Sequence, residues 1–145
     1  MKIEEQLAKD GYVMMLSVGD SMEPMLHQRC EQLFIGNVSR KLKKGDVVLY
    51  KRESGKYVLH RIIREKKDAF VIRGDNRFIN EIVPQNLIIG ILKGFYRDDI
   101  YIDCEKNRKY IVYSKMLKIK YPFKYAFKSI TTFLKRIMSK IKRSL

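Results

Sequence analysis

Ser21 lies in the run Val18-Gly19-Asp20-Ser21-Met22-Glu23-Pro24-Met25-Leu26, directly after a short apolar stretch. A serine at the end of a strand, followed by a proline that holds the backbone near φ −65°, can present its hydroxyl to a substrate carbonyl at one angle. Gly-Asp-Ser is also ordinary turn chemistry, so the nucleophile reading needs partners. A free hydroxyl is a poor nucleophile unless a base lies within hydrogen-bond reach and a third group orients that base. The chain has two histidines. His60 sits in Tyr57-Val58-Leu59-His60-Arg61-Ile62-Ile63, and a carboxylate follows the next strand in Gly74-Asp75-Asn76. Ser21, His60 and Asp75 are therefore the candidate nucleophile, base and orienting acid. His27, just past the serine turn, is a weaker second candidate for the base and reads as a solvent-facing turn residue. The plainer reading of His60 is a satisfied histidine on a half-buried strand, flanked on its own face by Val58 and Ile62.

Geometry offers a check on Asp75. If residues 57–64 and 69–76 form a hairpin around Glu65-Lys66-Lys67-Asp68, His60 faces Arg73 and Val58 faces Asp75. Side chains alternate along a strand, so His60 and Asp75 become diagonal neighbours at roughly 7–8 Å. A slip of one residue would send them to opposite faces.

The elements that must position these residues are mostly strands. A short amphipathic helix is expected at Ile3 to Lys9, ended by Gly11. Strands are expected over Tyr12 to Val18, Glu31 to Val38, Val47 to Arg52, Tyr57 to Arg64, Ala69 to Arg73 and Leu87 to Tyr96, with turns at Lys43-Lys44-Gly45-Asp46 and Glu53-Ser54-Gly55-Lys56. Ile100 to Asp103 and Tyr110 to Tyr113 are expected to close a last hairpin around Glu105-Lys106-Asn107-Arg108. Many short strands with regular turn signals predict a mainly β, coiled, barrel-like sheet. At 145 residues and 46% hydrophobic content, the chain can bury an adequate core.

Four blocks together resemble the signal peptidase I superfamily of serine peptidases over roughly residues 12 to 95. Ser21-Met22-x-Pro24 is similar to the nucleophile box, Gly45-Asp46-Val47-Val48 to the box after it, and Gly74-Asp75-Asn76 to the Gly-Asp-Asn box. Val83-Pro84 with Leu87-Ile88-Ile89-Gly90-Ile91 is similar to the closing strand. His60 stands where the common bacterial branch has a lysine base, which resembles the Ser-His pair of the endoplasmic-reticulum and archaeal branch. An imidazole with an unperturbed pKa of about 6.5 is already mostly neutral at physiological pH, so no unusually dry pocket is needed. The resemblance implies a serine endopeptidase that cleaves a signal or leader peptide from a peptide or protein precursor through an acyl-enzyme. Gly19, Asp20, Met22 and Pro24, around the nucleophile, are the implied substrate-binding positions. Many relatives carry a serine oxyanion donor where this chain has Gly19, so backbone N–H groups, Ser21 first, would serve. The His-type branch also has an acidic position about six residues beyond the Gly-Asp-Asn aspartate, here Glu81, which rivals Asp75 as the third member. The alternative is a non-catalytic or self-processing LexA-like binding module.

Charge is unevenly spread. All sixteen acidic residues lie at or before Glu105, and Lys106 to Leu145 carries thirteen of the 31 basic ones. From Pro122 onward Ala126, Ile130, Phe133, Leu134, Ile137, Met138, Ile141 and Leu145 fall at helical spacing, with Lys128, Lys135, Arg136, Lys140, Lys142 and Arg143 between them. The tail reads as a basic amphipathic helix whose charges argue against spanning a bilayer. Residues 122–145 are expected to lie on an anionic membrane surface. Packing on the β domain is the blander option, and nucleic acid the poorer fit, because phosphate binding needs no apolar stripe. The expected division is a catalytic domain at 1–114 and a helical tail at 115–145. Lys2, Glu4, Glu5, Lys9 and Asp10 make the first seventeen residues unlike a signal peptide or anchor, so the protein is expected to lie peripherally on the membrane, at its cytoplasmic face. Cys30 and Cys104 lack metal-type spacing and are expected as free thiols. One plausible histidine and scattered carboxylates imply neither a metal nor a cofactor.

Overall fold

The computed structural model describes residues 2–117, 119 and 129–134. It divides into two compact units, Met1–Ile111 and Val112–Leu145. The first holds helix α1 (Ile3–Asp10) and eight strands: β1 (Tyr12–Leu16), β2 (Gln32–Gly36), β3 (Val47–Lys51), β4 (Tyr57–Lys66), β5 (Ala69–Arg73), β6 (Glu81–Pro84), β7 (Ile88–Arg97) and β8 (Ile100–Asp103). All pairings are antiparallel, in the order β1-β2-β7-β3-β4-β5-β6, with β8 also on β7. The mainly β class expected from the turn spacing is the class observed, as a sheet path that ends on β1 and β6. The second unit is helical where it is described, at residues 112–117, 119 and 129–134. Most of the tail stripe lies outside the described residues. Of it, Ile130, Phe133 and Leu134 are exposed.

Local chemistry explains the element ends. Glu4 and Glu5 occupy the first turn of α1, where negative charge suits the helix dipole, and Gly11 closes it at φ +78° with its N–H on the Leu7 carbonyl. Asp98 and Asp99 both have positive φ, the type I′ geometry that matches strand twist, and they join β7 to β8. The expected hairpin between β8 and Tyr110–Tyr113 does not form, and residues 108–117 are helical instead. The cause is capping: the Asn107 side-chain oxygen accepts the Tyr110 N–H at 3.1 Å, and Asp103 Oδ1 accepts the N–H groups of Glu105 and Lys106. The Asn107 bond satisfies a donor that the helix start leaves open, and the Asp103 bonds shape the turn that leads into it.

The core under β3, β4, β5 and β7 is aliphatic and aromatic: Leu42, Val48, Tyr50, Ile62, Phe70, Ile72, Val83 and Ile91. One register differs from the sequence expectation. The β4–β5 turn holds only Lys67 and Asp68, with Asp68 at φ 58°. β4 therefore runs to Lys66, and an irregularity between Ile62 and Arg64 adds a residue to it. Arg61, not His60, faces Arg73. A shift of one position changes the face of every side chain beyond it, and that decides where Asp75 goes.

Candidate active site

Ser21 belongs to the turn that follows β1, residues 19–26, with Gly19 at φ 84° and a cis Glu23–Pro24 peptide. The turn is braced internally by Glu23 N–H on Asp20 O and Leu26 N–H on Met22 O. Buried Met22, Met25 and Leu26 anchor it to the interior. Its other support is the 74–77 turn. Asn76 donates its backbone N–H to the Ser21 carbonyl at 2.8 Å and its side-chain amide to the Asp20 carbonyl at 3.2 Å. The Arg77 guanidinium pairs with the Asp20 carboxylate, and that bond holds the Asp20 carboxyl below its ordinary pKa.

His60 is 6% exposed and stands on β4 opposite Val48 of β3. Extending the β4–β5 register past Arg73 brings Gly74 beside it. A Cβ at Gly74 would sit 2.6 Å from the Ser21 carbonyl oxygen and 3.1 Å from His60 Nε2, so these two atoms lie within about 6 Å of each other. Glycine is needed here for close approach, since its backbone angle is not left-handed. Ser21 and His60 open into one cleft of about 260 Å³, whose walls include Met15, Leu16, Val18 and Leu33 with Asp20 and Arg77 at the rim. Among the described residues no hydrogen bond joins Ser21 to His60. Such bonds are often long in a free enzyme and tighten on substrate.

The other imidazole nitrogen faces polar groups. Nδ1 lies 3.2 Å from the Tyr50 hydroxyl and 3.3 Å from Glu81 Oε1. Arg52 grips Glu81 with two hydrogen bonds of 3.0 and 2.7 Å. Burial disfavours the charged imidazole and lowers the His60 pKa, with Arg52 and Arg77 acting the same way and Glu81 opposing them. The imidazole is thus neutral at physiological pH. Burial resists ionisation of Glu81, but the Arg52 hydrogen bond and charge, with a hydrogen bond from Tyr50, outweigh it and hold the carboxyl below its usual range. Burial and the nearby Glu81 charge push the Tyr50 phenol well above its ordinary value.

Asp75 is elsewhere. Its side chain is fully buried and accepts Arg61 Nε at 2.8 Å and a terminal guanidinium nitrogen at 2.7 Å. Arg61 also donates to the Gly45 carbonyl and packs its guanidinium against the Tyr110 ring. Burial works against the Arg61 charge, and the Asp75 hydrogen bond and charge more than restore it. The diagonal His60–Asp75 pair expected from the hairpin is therefore corrected. With Arg61 facing Arg73, Asp75 follows Arg61 to the face opposite His60.

Gly19, Asp20 and Met22 border the cleft. Pro24 is exposed and lies outside that wall, shaping the turn from behind. His27 is solvent-facing, 3.4 Å from Glu23 and away from the cleft. Tyr50, Arg52 and Arg61 were missed as site residues. Tyr50 had a signal, because it shares a face with Val48 and the strand beside it carries His60. Among the described residues no group of His, Cys, Asp or Glu is arranged to hold a metal ion, and both cysteines are free.

No family model matches the chain. It is similar to the signal peptidase complex catalytic subunit SEC11 of Lodderomyces elongisporus, 33% identical over 91 residues that cover 52% of this chain and 54% of that protein. The chain thus spans about half the length of the curated relative it matches, and this similarity supports the signal peptidase I type.

Proposed function

We propose that this chain is a serine endopeptidase of signal peptidase I type that cleaves a signal or leader peptide from a precursor. Ser21 is the nucleophile, His60 Nε2 takes its proton and returns it to the leaving amine, and water then attacks the acyl-enzyme. Glu81 orients the imidazole from its Nδ1 side, and Asp75 holds the 74–77 turn through Arg61. The Ser21 amide is the oxyanion donor, a contribution of roughly 3–4 kcal/mol where such donors have been removed. The observation that carries this reading is the junction at Gly74, where the Ser21 carbonyl oxygen and His60 Nε2 lie within about 6 Å of each other and share one cleft. The similarity to a signal peptidase catalytic subunit supports the substrate class. Residues 115–145 act as a tail, and within it 122–145 rests on an anionic membrane surface. No described helix is long and apolar enough to cross a membrane.

A serine-reactive acylating probe tests the chemistry. Wild type should label stoichiometrically, Ser21→Ala not at all, and His60→Ala far more slowly. Labelling that survives loss of Ser21 removes the nucleophile assignment. A wild-type protein that neither labels nor cleaves any precursor returns the chain to the binding-module alternative.

A further inference from the structure

A histidine base works from one nitrogen only when the proton sits on the other. In a neutral imidazole one ring nitrogen donates and the other accepts, and the surroundings of Nδ1 select the form. Two oxygens approach His60 Nδ1, Tyr50 Oη at 3.2 Å and Glu81 Oε1 at 3.3 Å. Carboxylate Oε1 can only accept when ionised, whereas the phenol can accept or donate. If the phenol donated to Nδ1, the proton of the ring would lie on Nε2 and His60 could not act as a base toward Ser21. Which way the Tyr50 proton points therefore controls the site.

The surroundings of Tyr50 settle that direction. Its ring is 1% exposed, so water does not compete for the hydroxyl. Glu81, held by two Arg52 bonds, places Oε1 3.3 Å from the same Nδ1 that the Tyr50 oxygen approaches at 3.2 Å, so its charge stands beside the hydroxyl and acts on it. An ionised acceptor draws the phenolic proton more strongly than a neutral nitrogen. Arg52, a donor only, also meets the phenolic oxygen, which keeps its second lone pair for Nδ1.

We propose that Tyr50 is a positioning residue that fixes the His60 tautomer, its oxygen accepting the Nδ1–H while its own O–H donates to Glu81. This deepens the reading of His60 as the base and rests on it. The chain runs His60 Nδ1–H to Tyr50 to Glu81, so Glu81 acts on the ring partly through the phenol. Nε2 is left with its lone pair toward the cleft.

Nitrogen-15 NMR of the imidazoles reads this directly. With His27→Gln, one histidine remains, and the folded protein at about pH 8 should show a protonated Nδ1 and an unprotonated Nε2. Tyr50→Phe removes one oxygen and keeps the ring, and should mix the two tautomers and lower kcat about tenfold at nearly constant KM. A wild-type ring protonated at Nε2 overturns the proposal without any variant at the site. So does a folded Tyr50→Phe protein whose tautomer and kcat match wild type. If the tautomer responds to Tyr50→Phe while Ser21 never labels, the hydrogen-bond chain stands and the peptidase reading fails.

Discussion

Asp75→Asn and Glu81→Gln should separate stability from catalysis. The Arg61–Asp75 pair has side-chain exposures of 2% and 0% and two short hydrogen bonds. Neutralising Asp75 leaves a guanidinium charge buried without its counterion, a change that costs about 3–5 kcal/mol in comparable sites. Against a total stability of about 5–15 kcal/mol, that is a large share. A loss of about 3 kcal/mol corresponds to a fall in Tm of roughly 10–15 °C for a unit of this size. The Glu81 side chain is 28% exposed and its Arg52 partner 42%, so removing its charge should cost at most about 1 kcal/mol. Its effect should fall on turnover, because it holds the tautomer and stabilises the imidazolium, with kcat reduced on the order of a hundredfold. Thermal melts and kcat, the latter measured well below both transitions, separate the two. An Asp75→Asn protein that melts with wild type and loses turnover, beside an active Glu81→Gln, would refute the reasoning.

Three further outcomes are expected. The acid limb of kcat/KM should fall below pH 6.5, because the folded His60 pKa is lowered, chiefly by burial, and the neutral form is the base. By the same linkage, the stability from keeping His60 neutral is complete above its unfolded pKa of about 6.5 and declines as pH drops toward the folded value. Glu81→Gln, which removes a charge that raises this pKa, should move the limb lower still, as a pH–rate series with both proteins would show. Gly74→Ala should abolish probe labelling at Ser21 and cost roughly 1–3 kcal/mol in denaturant titration, since its Cβ would collide with the Ser21 carbonyl at 2.6 Å. Deleting residues 122–145 should abolish pelleting with anionic vesicles and leave cleavage of a soluble peptide unchanged.

Much of this arrangement was legible in the residues. The strands that carry or flank Ser21 and His60 were readable by alternation and by Gly-Asp turns. The position of Asp75 was not, because it depended on one extra residue in β4 and a two-residue turn at Lys67-Asp68. Period-two patterning fixes which residues share a face within a strand, but a bulge shifts the pairing without changing that pattern. Arg61 gave no sign of its role in the sequence. A charged residue in an apolar strand reads as solvent-facing, yet its counterion lies fourteen positions ahead and both are buried. The helix at 108–117 was misread because Tyr110, Ile111, Val112 and Tyr113 favour strands by composition, and the Asn107 cap outweighed them.

The end of β5 divides its work between adjacent positions. Gly74 lies on the His60 side, where absence of a side chain lets the Ser21 turn approach the imidazole. Asp75 turns to the other side and is fastened by Arg61, while Asn76 reaches back to the Ser21 carbonyl. The anchor and the approach are thus one residue apart, and the next residue, Asn76, bonds the Ser21 carbonyl. Glu81, arriving on β6 after that turn, meets the imidazole from behind. The two carboxylates stand on opposite faces: Asp75 takes two hydrogen bonds from Arg61, while Glu81 lies 3.3 Å from His60 Nδ1. On the proposed reading the two acids divide the work, Asp75 holding the turn that follows β5 and Glu81 of β6 orienting the imidazole.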